Sequence, residues 1–149
     1  MIDHIPRQDI DKILFNVMAA IYNFERYKMS KFDLNYEAFY LLYLLRRRSF
    51  ATMSEIAAEM NIHISTASRA IDRLEKREFV SRKKDPHDKR TTLVCLEPVG
   101  ERMVRDSEDD SFDIINENLK DLQPEDIEAI VKTAMNMRQV LKLPGKSKA

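Results

Sequence analysis

M-S-E-I-A-A-E-M-N-I-H-I-S-T-A-S-R-A-I-D-R-L-E-K-R-E-F-V-S-R-K-K-D-P-H-D-K-R, residues Met53 to Arg90, reads as a short helix, a turn, a longer helix and a basic hairpin. Thr52 or Ser54 can cap the short helix, and Thr52 with Glu55 has the capping-box spacing. Ile56, Ala57 and Met60 point inward, and the small Ala57 and Ala58 let a second helix cross closely. Asn61, Ile62 and His63 form the turn. Ser65 is the expected cap of the longer helix, which runs to about Arg77. Its apolar face is Ala67, Ile71 and Leu74; the opposite side carries Thr66, Ser68, Arg69, Arg73 and Arg77. Phe79 to Lys83 begins a strand, Asp85, Pro86, His87 and Asp88 are turn formers, and Thr91 to Leu96 is the returning strand.

Outward from this stretch the chain is helical. Ile10, Ile13, Leu14, Val17, Met18, Ile21 and Phe24 recur at the three-four spacing of an amphipathic helix over residues 8–30. Residues 36–48 are apolar on most of their surface, which makes this helix central. It ends in Arg46, Arg47 and Arg48, favourable charges at a helix C-terminus. Pro98 starts another helix, whose apolar pattern is interrupted from Asp106 to Ser111. Leu122 to Glu125 breaks the chain. Ile127, Ile130, Val131, Ala134, Met137 and Leu141 mark the last helix, stopped by Pro144 and Gly145.

The 149 residues hold 25 Lys and Arg against 25 Asp and Glu, but the balance is uneven. Residues 46–90 hold 12 cations against 7 anions, residues 1–45 hold 5 against 6, and residues 91–149 hold 8 against 12. A basic middle between acidic flanks suits phosphate binding on one face. With 2 Gly and 5 Pro, strands joined by Gly-rich turns do not dominate. One cysteine, Cys95, excludes an internal disulfide and a cysteine zinc cluster. The expectations are a reducing cytoplasm, no signal peptide, no membrane span, no cofactor and no metal. No nucleophile-base pair, metal cluster or phosphate loop points to an enzyme.

A helix entering a major groove needs small or polar residues at the groove floor. Ser65, Thr66, Ser68 and Ala70 meet that need, and Arg69 and Arg73 lie four apart on one face. Arg69 is expected nearer the bases and Arg73 nearer the backbone; the competing reading makes both surface arginines paired with Asp72, Glu75 or Glu78. Arg82, Lys83 and Lys84 are expected on phosphates. At the hairpin tip are His87, Asp88, Lys89 and Arg90. Arg90 is the candidate for a narrow minor groove, and Asp88 the buttress orienting Arg90 or Arg82. His87 is either a further contact or a solvated loop residue. Cys95 reads as an inert packed residue.

The segments S-E-I-A-A-E-M, S-T-A-S-R-A-I-D-R-L-E-K and F-V-S-R-K-K-D-P-H-D-K-R-T-T-L-V-C-L-E-P-V-G-E-R-M resemble the MarR family of bacterial winged helix-turn-helix regulators. Asp88-Lys89-Arg90 is the most specific match. The resemblance implies a mainly α winged helix-turn-helix fold of about six helices plus a β-hairpin wing. It implies a homodimer formed through the N- and C-terminal helices, binding double-stranded DNA. On residues 1–149 as a single chain, the winged helix module falls at 34–97, dimerisation helices at 1–33 and 98–144, and a disordered tail at 145–149. The implied function is a transcriptional regulator, most often a repressor of palindromic operators, released by a small aromatic or lipophilic effector. The alternatives are an activator of the same family and a non-catalytic protein-interaction module on this scaffold. The family's effector site maps to the ends of the first two helices, where the candidates are Tyr22, Arg26, Tyr36, Phe39, Tyr40 and Tyr43; the competing reading makes Phe39 and Tyr43 core residues and the other tyrosines plain surface. All 5 tyrosines lie between positions 22 and 43. One departure stands out: Glu78 occupies the place of a usual Gly, where a left-handed helix end is expected.

Overall fold

The computed structural model describes residues 5–142. Their elements are α1 (Arg7–Phe32), α2 (Tyr36–Arg48), β1 (Phe50–Thr52), α3 (Met53–Met60), α4 (Ile64–Lys76), β2 (Val80–Lys84), β3 (Thr92–Leu96), α5 (Pro98–Leu119) and α6 (Pro124–Val140). Six helices and a small sheet match the expected class. The predicted stop at Pro144 and Gly145 and the tail at 145–149 lie outside the described residues.

α2 is the centre of the core. The Asn35 side chain accepts from Ala38 N at 2.9 Å and starts the helix. Phe39, Leu41, Leu42 and Leu45 are then buried around most of its circumference. They meet Ile56 of α3, Ala67, Ile71 and Leu74 of α4, Val80 and Val94 of the sheet, and Val104 of α5. Fully burying each large aliphatic side chain is worth roughly 1.5–3 kcal/mol. This cluster therefore fixes α3, α4 and the hairpin to one support.

The sheet has three strands, not the two of a simple hairpin, in the order β1-β3-β2. Both pairings are antiparallel, with Phe50 opposite Cys95 and Thr52 opposite Leu93, then Val80 opposite Leu96 and Lys84 opposite Thr92. At three residues, β1 is too short for alternation to mark it in the sequence. Cys95 is partly buried between Phe50 and Ser81 on the flanking strands.

Helix ends are closed here without glycine. Asp33, Asn61 and Glu78 take φ of 51°, 53° and 59° after α1, α3 and α4. At the end of α4, Phe79 N donates to Leu74 O at 3.0 Å and Glu78 N to Glu75 O at 2.9 Å. That is the Schellman pattern, and Phe79 and Leu74 supply its buried apolar contact. Glu78 thus takes the left-handed conformation itself instead of shifting the turn.

The chain divides into two compact units between Glu108 and Asp109. In the first, Gly100 lets α5 begin hard against Phe79, because a Cβ there would collide with the Phe79 carbonyl oxygen. Arg46 joins α2 to α5 through Glu101 at 3.2 Å and through Glu108. Buried Ser107 lies 3.3 Å from the Tyr43 hydroxyl. α5 remains helical through the predicted interruption, where this polar contact takes the place of an apolar stripe. In the second unit, Pro124 opens α6, with Glu125 and Asp126 in its first turn. None of the α6 side chains is buried.

Candidate nucleic-acid interface

α3 and α4 pack together as a helix-turn-helix pair. The Thr52 side chain accepts from Glu55 N at 3.2 Å while the Glu55 carboxylate accepts from Thr52 N at 2.7 Å. The predicted capping box is therefore present. These hydrogen bonds from Thr52, backbone first and hydroxyl second, hold the Glu55 carboxyl below its ordinary range. Ile56 and Ala57 are buried, whereas Ala58 is exposed and takes no part in the helix crossing.

α4 begins earlier than expected. Its N-cap is His63, whose carbonyl accepts from Thr66 N and Ala67 N at 3.0 Å each, without a side-chain cap bond. Ser65 is therefore not the cap; it sits with Thr66 in the exposed first turn. Ala67, Ile71 and Leu74 face the core as predicted. Ser65, Thr66, Arg69 and Arg73 are exposed, and Ser68 is half-buried. Among the described residues, Arg69 and Arg73 have no ion pair. The neighbouring carboxylates of Asp72 and Glu75 pair with Arg82 instead.

Arg82 departs most from the sequence expectation. It projects from β2 back onto α4, where its guanidinium meets Asp72 Oδ1 at 2.6 Å and the Glu75 carboxylate. Glu75 Oε1 also accepts from Arg82 N at 3.2 Å, and the guanidinium lies 3.4 Å from Ser68 O. Burial works against the charge, but the bonds to Asp72 and Glu75 prevail and raise the Arg82 pKa. Both terminal nitrogens of the guanidinium are thus engaged within the protein.

The remaining wing cations divide by position. Lys83 is 3.0 Å from Glu97, whose hydrogen bond raises its pKa. Glu97 shifts downward, first through the Ser81 hydroxyl and then through Lys83. Lys84 Nζ donates to Thr92 Oγ1 at 3.1 Å across the two strands. At the tip, His87, Lys89 and Arg90 are exposed. Asp88 orders that tip through the backbone: Oδ1 accepts from Arg90 N at 2.9 Å and Oδ2 from Thr91 Oγ1 at 3.1 Å. Asp85 does the same for His87 N at 2.8 Å. Asp88 is a buttress as expected, but it holds the Arg90 main chain and does not touch Arg82.

The predicted effector residues separate into two groups. Tyr36, Phe39, Tyr40 and Tyr43 line one cleft of about 190 Å³ with Ile21, Glu25 and Lys28. Tyr22 and Arg26 are outside it; the Arg26 guanidinium lies 5.8 Å from the Tyr22 ring centre. Sequence reasoning missed Lys28, which is only 6% exposed. Its ammonium is 3.3 Å from Glu25 Oε1 and 5.2 and 5.4 Å from the ring centres of Phe39 and Tyr43. The signal was partial: Lys28 lies one turn after the half-buried Phe24, with Glu25 three residues back to pair with it.

Among the described residues, no group of three or more His, Cys, Asp or Glu could hold a metal, and no helix is long and apolar enough to cross a membrane. A core-anchored helix pair followed by a basic, ordered hairpin defines a winged helix-turn-helix protein, a fold that supports DNA-binding transcriptional regulation. The family model described as MarR family matches residues 34–92. That match spans the helix-turn-helix and the first two strands, and over those residues the chain is similar to the MarR family. It is 27% identical over 141 residues to YsmB of Bacillus subtilis (strain 168), an uncharacterized HTH-type transcriptional regulator, covering 95% of each chain. A MarR family protein from Bacillus stearothermophilus has a similar structure, with a TM-score of 0.81 at 20% identity over 91% of this chain and 95% of that one. A MepR mutant of S. aureus bound to an oligodeoxyribonucleotide gives 0.68 at 18% identity, over 89% and 98%.

Proposed function

We propose that this protein is a sequence-specific, double-stranded-DNA-binding transcriptional regulator that acts as a homodimer and represses from palindromic operators. The observation that carries this reading is the pair of unengaged arginines, Arg69 and Arg73, on the exposed side of a helix whose other side is locked into the core. Ser65, Thr66 and Ser68 share that polar side and leave room for base edges. Beside it, Asp88 holds a wing tip bearing His87, Lys89 and Arg90, suited to the adjacent minor groove. Lys83 and Lys84 extend the basic track toward the backbone. The MepR mutant bound to an oligodeoxyribonucleotide is a precedent within the same fold.

Dimerisation goes with the apolar side chains that α1 leaves in solvent, among them Phe15 at 62% and Met18 at 59% exposure. The winged helix module is assigned to 34–97 and the dimerisation helices to 1–33 and 98–144. The cleft of Tyr36, Phe39, Tyr40 and Tyr43 is the site proposed for a small aromatic or lipophilic effector. Tyr22 and Arg26 lie outside that cleft and are not part of the proposed site.

Selection of duplexes from a random pool by the full chain tests the reading. Recovery of one inverted repeat, its half-sites about one helical turn apart, is expected. Recovery of no enriched sequence at moderate salt would contradict it.

A further inference from the structure

Ser65, Ser68, Asp72 and Glu75 occupy successive positions of one stripe along α4, by their three-four-three spacing. Two residues suited to a groove floor are thus followed by two carboxylates. An anionic helix face meeting phosphates is repelled, as like charges are at any interface. The helix alone holds Arg69, Arg73 and Lys76 against Asp72 and Glu75. Left uncompensated, the two anions would cancel most of its attraction for DNA.

We propose that Arg82 is a positioning residue that masks Asp72 and Glu75, keeping the reading helix electrostatically open to DNA, and is not itself a phosphate contact. The proposal rests on the DNA-binding function above. Three features support it. Arg82 places one guanidinium nitrogen on each carboxylate, with Asp72 Oδ1 at 2.6 Å. The same residue fixes β2 to α4 through its main-chain nitrogen, 3.2 Å from Glu75 Oε1. Its side chain is only 26% exposed, against 60% for Lys83 next to it. The carboxylates would draw Arg82 away from any phosphate; in return it leaves Arg69 and Arg73 as cations without a local anion.

The test uses the full chain and a duplex selected from a random pool by the wild type. If no duplex is selected, the DNA-binding reading itself has failed, which separates that outcome from failure of the masking role. With a duplex in hand, affinity and its salt dependence are measured for Arg82→Gln, for Asp72→Asn with Glu75→Gln, and for all three changes together. Arg82→Gln should weaken binding about tenfold or more, with the log–log salt slope kept within about 0.5 of the wild type. The triple variant should recover to within about threefold of the wild type, since neutral Asn and Gln need no mask. The Asp72→Asn, Glu75→Gln pair should bind at least as tightly as the wild type.

Weakening without recovery in the triple variant overturns the proposal. A slope lower by about 0.9 would then identify a phosphate contact, and an unchanged slope a packing strut. Full binding by Arg82→Gln overturns it as well. Circular dichroism of each variant confirms folding, and Arg82→Lys, which keeps the charge but loses the fork, should fall between wild type and Arg82→Gln.

Discussion

Glu78 holds φ at 59°, a conformation that costs a side-chain-bearing residue roughly 1–2 kcal/mol. Glycine would remove that cost but add disorder to the unfolded chain. Glu78→Gly should therefore stabilise the protein by about 0.5–1 kcal/mol, read from the urea midpoint at unchanged slope. Thr52 makes the opposite case: Thr52→Ala opens the capping box and should cost about 1 kcal/mol. Glu55 in that box has a folded pKa below its unfolded value. Such a carboxyl adds stability above the unfolded value and loses it as pH falls through the folded one. The difference between wild type and Thr52→Ala should thus be full at neutral pH and shrink in acid, below the usual glutamate range. A difference that grows on acidification would contradict the box. Thr52 and Glu55 were legible from spacing because a capping box is local. Ser65 was misplaced because several polar residues near a helix start compete for the cap, and only the His63 carbonyl bonds fix which turn is first. The pairing of Arg82 was not legible because its partners, Glu75 and Asp72, lie 7 and 10 residues back on another element.

Between elements, the wing and α4 divide the expected contacts. Arg90 projects from a tip whose main chain Asp88 fixes, so removing either side chain acts differently. Arg90→Ala should weaken binding about tenfold and lower the salt slope by about 0.9, one cation lost. Asp88→Ala should weaken binding with little change of slope, because it frees the loop without removing a cation. Equal slopes for both variants would contradict this division. Helix positions were readable from apolar spacing, and α2 matches the expected 36–48. β1 was not: three residues carry no periodicity, and its place is set by pairing with β3 forty residues on. The tyrosine-rich cleft was half legible. Aromatic crowding marked Tyr36 to Tyr43, but the burial of Lys28 depends on the packing of α1 against α2, since lysine stems can cover apolar surface at either burial.

For the molecule as a whole, the first unit leaves Phe15, Met18 and Ile21 of α1 in solvent, and the second leaves Phe112, Met135 and Val140. A second copy covering them would explain why helices this apolar bury so little. Sedimentation equilibrium should give twice the chain mass of 17.5 kDa. Phe15→Asp together with Met18→Asp should give a monomer with much weaker binding to an inverted repeat. Monomeric wild type at micromolar concentration would contradict the dimer. Whether α4 and the wing read DNA sequence is decided by the ratio of affinities for a selected duplex and a scrambled one, in the wild type and in Arg69→Ala at fixed salt. The ratio should be at least about 1,000 in the wild type and fall at least about tenfold in Arg69→Ala, with the dimer intact. A wild-type ratio near one, or an unchanged ratio after loss of Arg69 and Arg90 together, would contradict the account.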